Sequence, residues 1–265
     1  MSFGLNLNLN LGVENLVGAS EELWTPANLT NLTAWYDASD ATTITLNGST
    51  VSQWDDKSGN GNHLSEASAA EQPLYVVGGT NGLNHIEFDY KSLSNNSFSL
   101  SGDRFLIAGA LNNRLVGDAN ARGMSMDDGT VDYNNEASFI PLLRQSSFLS
   151  AFYNYVQVGR INEAIADSPF VFASGGDGDR KFFALDGGAE GSLTIAGSLA
   201  ITRMRVGDSF ISASEHFNGD YFEFVIASAY DVNEKQKLEG YLAHKWGTQA
   251  SLPVDHPYKD APPTV

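Results

Sequence analysis

Glu87 and Asp89 stand two residues apart in the run Ile86-Glu87-Phe88-Asp89-Tyr90-Lys91. In an extended strand both point the same way, roughly 6.5 to 7 Å apart, while Ile86 and Phe88 face inward. Hydrolysis of a glycosidic bond needs two suitably separated carboxylates, one as acid and one as nucleophile or base. A second group of carboxylates, Asp55, Asp56, Asp127, Asp128, Asp177 and Asp179, falls in turn-forming stretches. Calcium takes several such oxygens, but no complete loop of ligand spacing is present, and Asp and Asn build turns by bonding their own backbone. No cofactor is expected; calcium is the metal that such turns would take. His63, His85, His216, His244 and His256 show no zinc spacing, so hydrogen-bonded or surface roles are expected. Two groupings offer a sugar site an aromatic ring beside Asx residues: Trp54 with Asp55 and Asn62, and Tyr133 with Asn134 and Asn135. Each is equally a core ring next to turn residues. There is no Gly-x-Ser-x-Gly elbow, and Gly175 to Gly178 lacks the lysine of a phosphate-binding loop.

The elements that position these residues are mostly strands. Leu5, Leu7, Leu9 and Leu11 alternate with asparagines, which predicts a strand with one apolar face. It is either part of the domain's own sheet or an assembly arm that adds to a neighbour. Strands are predicted at Leu32 to Tyr36, Leu83 to Asp89, Phe105 to Leu111, Ser138 to Leu143, Phe148 to Val158 and Tyr221 to Tyr230, and a hairpin at Ile44 to Trp54 across Asn47-Gly48. The stretch from Asp55 to Gly61 ends a strand in a shaped turn, with Gly59 and Gly61 supplying conformations that side chains forbid. Residues 117–137 read as a long rim loop. Near the end the period changes: Leu238, Tyr241, Leu242 and Trp246 mark one helical face, Asp231 and Glu234 form a capping-box pattern, and Gly247 supplies the stop. Four prolines after the helix predict an extended tail. The division is an N-terminal arm and connector over 1–29, a β-domain with terminal helix over 30–250, and a proline-rich tail over 251–265.

With 265 residues, 32 acidic against 15 basic side chains and a formal charge of −17, the chain fits one large all-β domain and repels phosphate backbones and anionic membranes. Neither nucleic acid nor membrane is an expected partner. No cysteine is present, which excludes disulfides and thiolate chemistry and suits assembly in a cytoplasm. The start has no basic and apolar leader pattern, and no stretch approaches transmembrane length.

Trp35-Tyr36-Asp37-Ala38-Ser39-Asp40, Trp54-Asp55-Asp56-Lys57-Ser58-Gly59-Asn60-Gly61-Asn62, Gln72-Pro73 and Ile86-Glu87-Phe88-Asp89, followed by Phe217-Asn218-Gly219-Asp220-Tyr221-Phe222-Glu223-Phe224 and Glu239 to Gly247, resemble a laminin-G-like, concanavalin A-like lectin/glucanase domain. The resemblance covers roughly residues 30 to 258. It implies an all-β, two-sheet antiparallel jelly-roll sandwich with a short C-terminal helix. Glucanases of this superfamily place two glutamates around an aspartate along one strand; here Lys91 occupies the position of the second glutamate, so the resemblance implies no enzyme. Chains with this core, start and tail also resemble bacteriophage virion structural proteins. From that resemblance the expected role is a capsid decoration or cement protein on the virion, assembled in the host cytoplasm. It would form a homo-oligomer and bind the major capsid protein or copies of itself through Leu5, Leu7, Leu9 and Leu11. The alternative is a carbohydrate-binding, lectin-like module, a tail adhesin or soluble glycan binder, with Trp54, Asp55, Asn62, Tyr133 and Asn134 as its candidate rim.

Overall fold

The structure, a computed structural model, describes residues 21–114, 121–130, 139–145, 148–154, 156–161, 167–210 and 215–265. The candidate arm, Leu5, Leu7, Leu9 and Leu11, and the candidate rim residues Tyr133 and Asn134 lie outside these residues.

The all-β, antiparallel expectation with one C-terminal helix holds among the described residues. Its organising element is the closing strand Asn218–Ala227. One edge pairs with the central strand Phe105–Asn113; the other is shared by His85–Asp89, opposite Asn218 to Tyr221, and Leu32–Asp37, opposite Glu223 to Ala227. Phe105–Asn113 continues into Pro169–Asp177, Arg180–Leu185 and Gly191–Thr194. Every residue of Phe105–Asn113 is buried, which explains its continuous apolar reading: a central strand covered on both faces cannot alternate.

A second run of strands curves away through Thr50–Trp54, Leu64–Ser65, Leu93–Asn95, Arg203–Val206 and Ala121–Asp127 to Val156–Ile161. The short strand Leu74–Val76 pairs with both Thr50–Trp54 and His85–Asp89 and so joins the two runs. Their far ends also meet. A side chain on Gly159 would come within 2.7 Å of the Gly191 carbonyl oxygen. Among the described residues seventeen strands therefore form one connected, nearly closed network, where two separate jelly-roll sheets were expected; bridging strands and the close approach at Gly159 remove the separation.

Inside the network Tyr36, Trp54, Phe88, Phe105, Phe139, Phe172, Tyr221 and Phe224 pack together. A second cluster on the outer face holds Trp24, Trp35, Leu106, Phe182 and Phe222 beneath Leu238, Leu242 and Trp246 of the helix Val232–Trp246. Asp231 caps that helix by accepting from the Asn233 and Glu234 N–H groups. The expected capping box is half made, because Glu234 turns outward to accept the Thr30 N–H. Gly247 ends the helix at φ 77°, in the left-handed region.

Two loop readings are corrected. The stretch read as a long rim loop contains the strand Ala121–Asp127, whose first six residues are buried: Met124 and Met126 join the core, and Asp127 stands at its end. The run read as one strand from Phe148 to Val158 turns at Asn154, which takes a positive φ of 46°. The proline-bearing tail docks: Leu252, His256 and Pro263 are buried. Trp24 N–H donates to the Pro263 carbonyl and Val265 N–H to that of Glu22, so the tail pairs with the chain entering the domain.

Candidate functional site

The residues that carry the family resemblance hold the fold together. Asp56 accepts the Trp35, Ser58 and Asn62 backbone N–H groups and the Ser58 hydroxyl. Asn60 and Asn62 donate to the Thr33 carbonyl, and Tyr36 donates to that of Asn62. The turn from Asp55 to Asn62 is thereby laced to the strand Leu32–Asp37. Glu223, fully buried, accepts from the indole N–H groups of Trp35 (2.7 Å) and Trp246 (2.9 Å) and from the Tyr241 hydroxyl (3.0 Å). Lys245 sits 2.7 Å from Glu223 and 2.9 Å from Asp37. Burial pushes the Glu223 carboxyl above the ordinary glutamate value even against Lys245. One buried carboxylate thus joins the first strand, the closing strand and the end of the helix.

Of the rim residues that the structure describes, Trp54 is 0% exposed. Its ring meets Tyr36 edge-on at 5.6 Å and Phe224 at 5.5 Å, so it is a core ring and offers no platform. Asn62 is spent on the turn. Asp55 reaches outward: its Oδ1 accepts from Gln53 at 2.7 Å and lies 3.1 Å from Nδ1 of His63.

His63 lines a solvent-open cleft of about 420 Å³. Alternation builds it. Leu64, Leu93, Met204 and Val206 point into the core, which turns Ser65, Ser94 and Arg205 to the other side, where they line the cleft. Asn95 at the end of its strand, with Glu66, Ala67 and Asn96 just beyond the strands, completes it. Only Ala67 is apolar, so a ligand here meets hydrogen-bonding side chains, not a stacking surface. Arg205 is held in place: it donates to the Ser209 carbonyl at 3.0 Å and lies over the Phe210 ring at 4.5 Å, which Arg203 also covers at 4.1 Å. The sequence reading missed this site because its members come from three strands and carry no local motif; the one available signal was the polar alternation around Leu64, Leu93 and Met204.

Glu87 and Asp89 separate. Asp89 accepts from Asn218 at 2.7 Å. Glu87 faces Asp220 across the sheet, and Arg114 bonds both, at 2.6 Å and 2.5 Å. His85 lies 3.7 Å from Asp220, and Asn112 donates to both Asp167 and Asp220. Burial pushes the Asp220 carboxyl up and the His85 imidazole down. The carboxylate that faces Glu87 thus comes from another strand, not from the Lys91 position. Among the described residues no three His, Cys, Asp or Glu side chains are grouped to hold a metal ion, and no helix is long and apolar enough to cross a membrane.

No protein-family model matches the chain, and no curated protein matches it. Solved structures do match in fold. Trypanosoma rangeli sialidase superposes with a TM-score of 0.52 at 11% identity, over 83% of this chain and 34% of that one. The same enzyme in complex with sialic acid gives 0.54 at 12% identity over 87% and 36%, and its complex with 2,3-difluorosialic acid 0.53 at 11% over 83% and 34%. This chain spans about a third of the length of those sialidases, and at such identity the likeness is one of fold. The expectation of no enzyme is corrected by these matches: solved structures of enzymes, the sialidases, share this fold. Lys91 removes a second glutamate from that one strand only; across the sheet Glu87 faces Asp220.

Proposed function

We propose that the chain is a carbohydrate-binding, lectin-like module, and that the cleft lined by His63, Ser65, Ser94, Asn95, Asn96 and Arg205 is its glycan site. The observation that carries this is the cleft's makeup: about 420 Å³, open to solvent, lined by side chains that hydrogen-bond, and set on rigid strands. A volume of this size holds one or two sugar rings, and a few convergent polar groups on a rigid frame are what orient a polyhydroxy ligand. The fold likeness to sialidases, one of them bound to sialic acid, adds to the reading without specifying the sugar. Asp55 belongs to the site as the neighbour of His63. The test is a glycan array with the full chain and with Ser94→Ala/Asn96→Ala. Binding that falls at least tenfold in the double variant, with an unchanged melting temperature, supports the assignment; binding that is absent, or indifferent to the pair, overturns it.

One observation favours a second reading, that of a virion surface protein which clamps neighbouring subunits, the major capsid protein or copies of itself. The paired ends at Glu22 to Trp24 and Pro263 to Val265 anchor the chain just after the stretch that carries Leu5, Leu7, Leu9 and Leu11. An anchored chain at that point suits an arm that pairs with a neighbour's sheet. A chain starting at Glu21 should then stay folded and lose assembly. Loss of folding, or assembly that persists, counts against the arm.

A further inference from the structure

We infer that the cleft selects a glycan residue bearing a carboxylate, and that Arg205 is the side chain that recognises it. This rests on the glycan-binding reading above and adds the charge of the ligand. The reason lies in which polar atoms of the cleft are already used. Asn95 spends its Oδ1 on the Ser97 N–H at 2.8 Å, which leaves its Nδ2 donor. Glu66 spends one oxygen on the Ser68 N–H at 2.8 Å. Nδ1 of His63 lies 3.2 Å from the Asp56 N–H and 3.1 Å from the Asp55 carboxylate, so that nitrogen is already engaged by the protein. Two acceptors, Oδ1 of Asn95 and one Glu66 oxygen, are thus engaged by the protein itself; the second Glu66 oxygen remains, against the donors of Asn95 Nδ2 and Arg205.

Arg205 adds the charge. Its guanidinium is fixed by the Ser209 carbonyl and the Phe210 ring, so little side-chain entropy is lost on binding. The nearest carboxylate, Asp208, is 3.9 Å away and is itself engaged by the Ser209 N–H at 2.7 Å and His216 at 3.2 Å. Nε of Arg205 is buried, so the guanidinium meets a ligand through its terminal nitrogens. A sugar hydroxyl donates as well as accepts, whereas a carboxylate only accepts and matches the planar fork of a guanidinium. The chain's net charge of −17 opposes an anion at long range, but screening confines that field to about 8 Å at physiological salt. Selection here is made by contact.

The experiment uses the full-length chain and acidic glycans in paired forms: oligogalacturonates, hyaluronan fragments and sialyllactose, each as the free carboxylate and as its methyl ester. Calorimetry should show at least tenfold tighter binding of one or more free acids than of the matching esters. Arg205→Gln should remove that preference and Arg205→Lys should restore part of it, with melting temperatures unchanged. Equal binding of acid and ester overturns this inference and leaves the glycan site standing. A preference that survives in Arg205→Gln overturns the role of Arg205. No binding to any free acid, with neutral glycans bound on an array, overturns the carboxylate requirement; no binding on either overturns both readings together.

Discussion

Lys57 shows how a single charged side chain serves the turn it belongs to. Its ammonium lies 3.0 Å from Asp37 and 2.8 Å from Asp40 and covers the Trp35 ring at 4.4 Å. Asp40 is held down to about 2, foremost by its hydrogen bond from Lys57. For Asp37 burial pushes upward, but the Lys245 charge and the bonds from Ser39, Lys245 and Lys57 prevail, and the net shift is downward. Both carboxyls are therefore more acidic folded than unfolded. Their stabilisation is complete above the ordinary value of 3.8 and is lost as pH falls toward about 2. We expect the melting temperature to drop over that window, and Lys57→Gln to make the drop shallower. Identical acid limbs in the two proteins would refute the coupling. Lys57 and Asp40 are partly exposed, so their pairing is worth little at neutral pH, whereas Asp37 is buried.

The helix Val232–Trp246 is the element whose attachment is most concentrated in one residue. Trp246 is 1% exposed, stacks on Phe222 at 4.9 Å and donates to Glu223. Trp246→Ala should cost about 3 to 5 kcal/mol. Trp246→Phe keeps a ring on Phe222 and deletes the donor, for which about 1 to 3 kcal/mol is expected from the weakened contact to a buried carboxylate. Urea titrations of both variants check the order; a phenylalanine variant as damaged as the alanine one would make the hydrogen bond, not the ring, the main fastening. At the other end Asp231→Ala should cost about 1 kcal/mol through loss of the cap.

The whole molecule depends on the two strand runs meeting. Gly159 makes this possible: it has a φ of 64°, and a Cβ there would lie 2.7 Å from the Gly191 oxygen and 2.9 Å from Cβ of Phe183. Gly159→Ala combines left-handed strain with a backbone clash, and about 1 to 3 kcal/mol of destabilisation is expected. Hydrogen exchange should show faster opening of Gly191–Thr194 in the variant. If exchange there is unchanged, the contact is not what holds the network shut. The docked tail is a second closure, with Lys259 donating to the Gln249, Ala250 and Leu252 carbonyls.

By itself the sequence determined the all-β class, the position and caps of the helix, the shaped turn after Trp54 and the inward faces of most strands. These are local matters: a period of two or 3.6, a capping aspartate and a glycine at positive φ act within a few residues. Only the tertiary structure decided that Trp54 is core and not rim, that Glu87 faces Asp220, that the strands join in one network, and that Ser65, Ser94 and Arg205 share a cleft. The physical reason is register. Which side chains become neighbours across a sheet depends on pairings between segments far apart in the chain, and no local pattern encodes them.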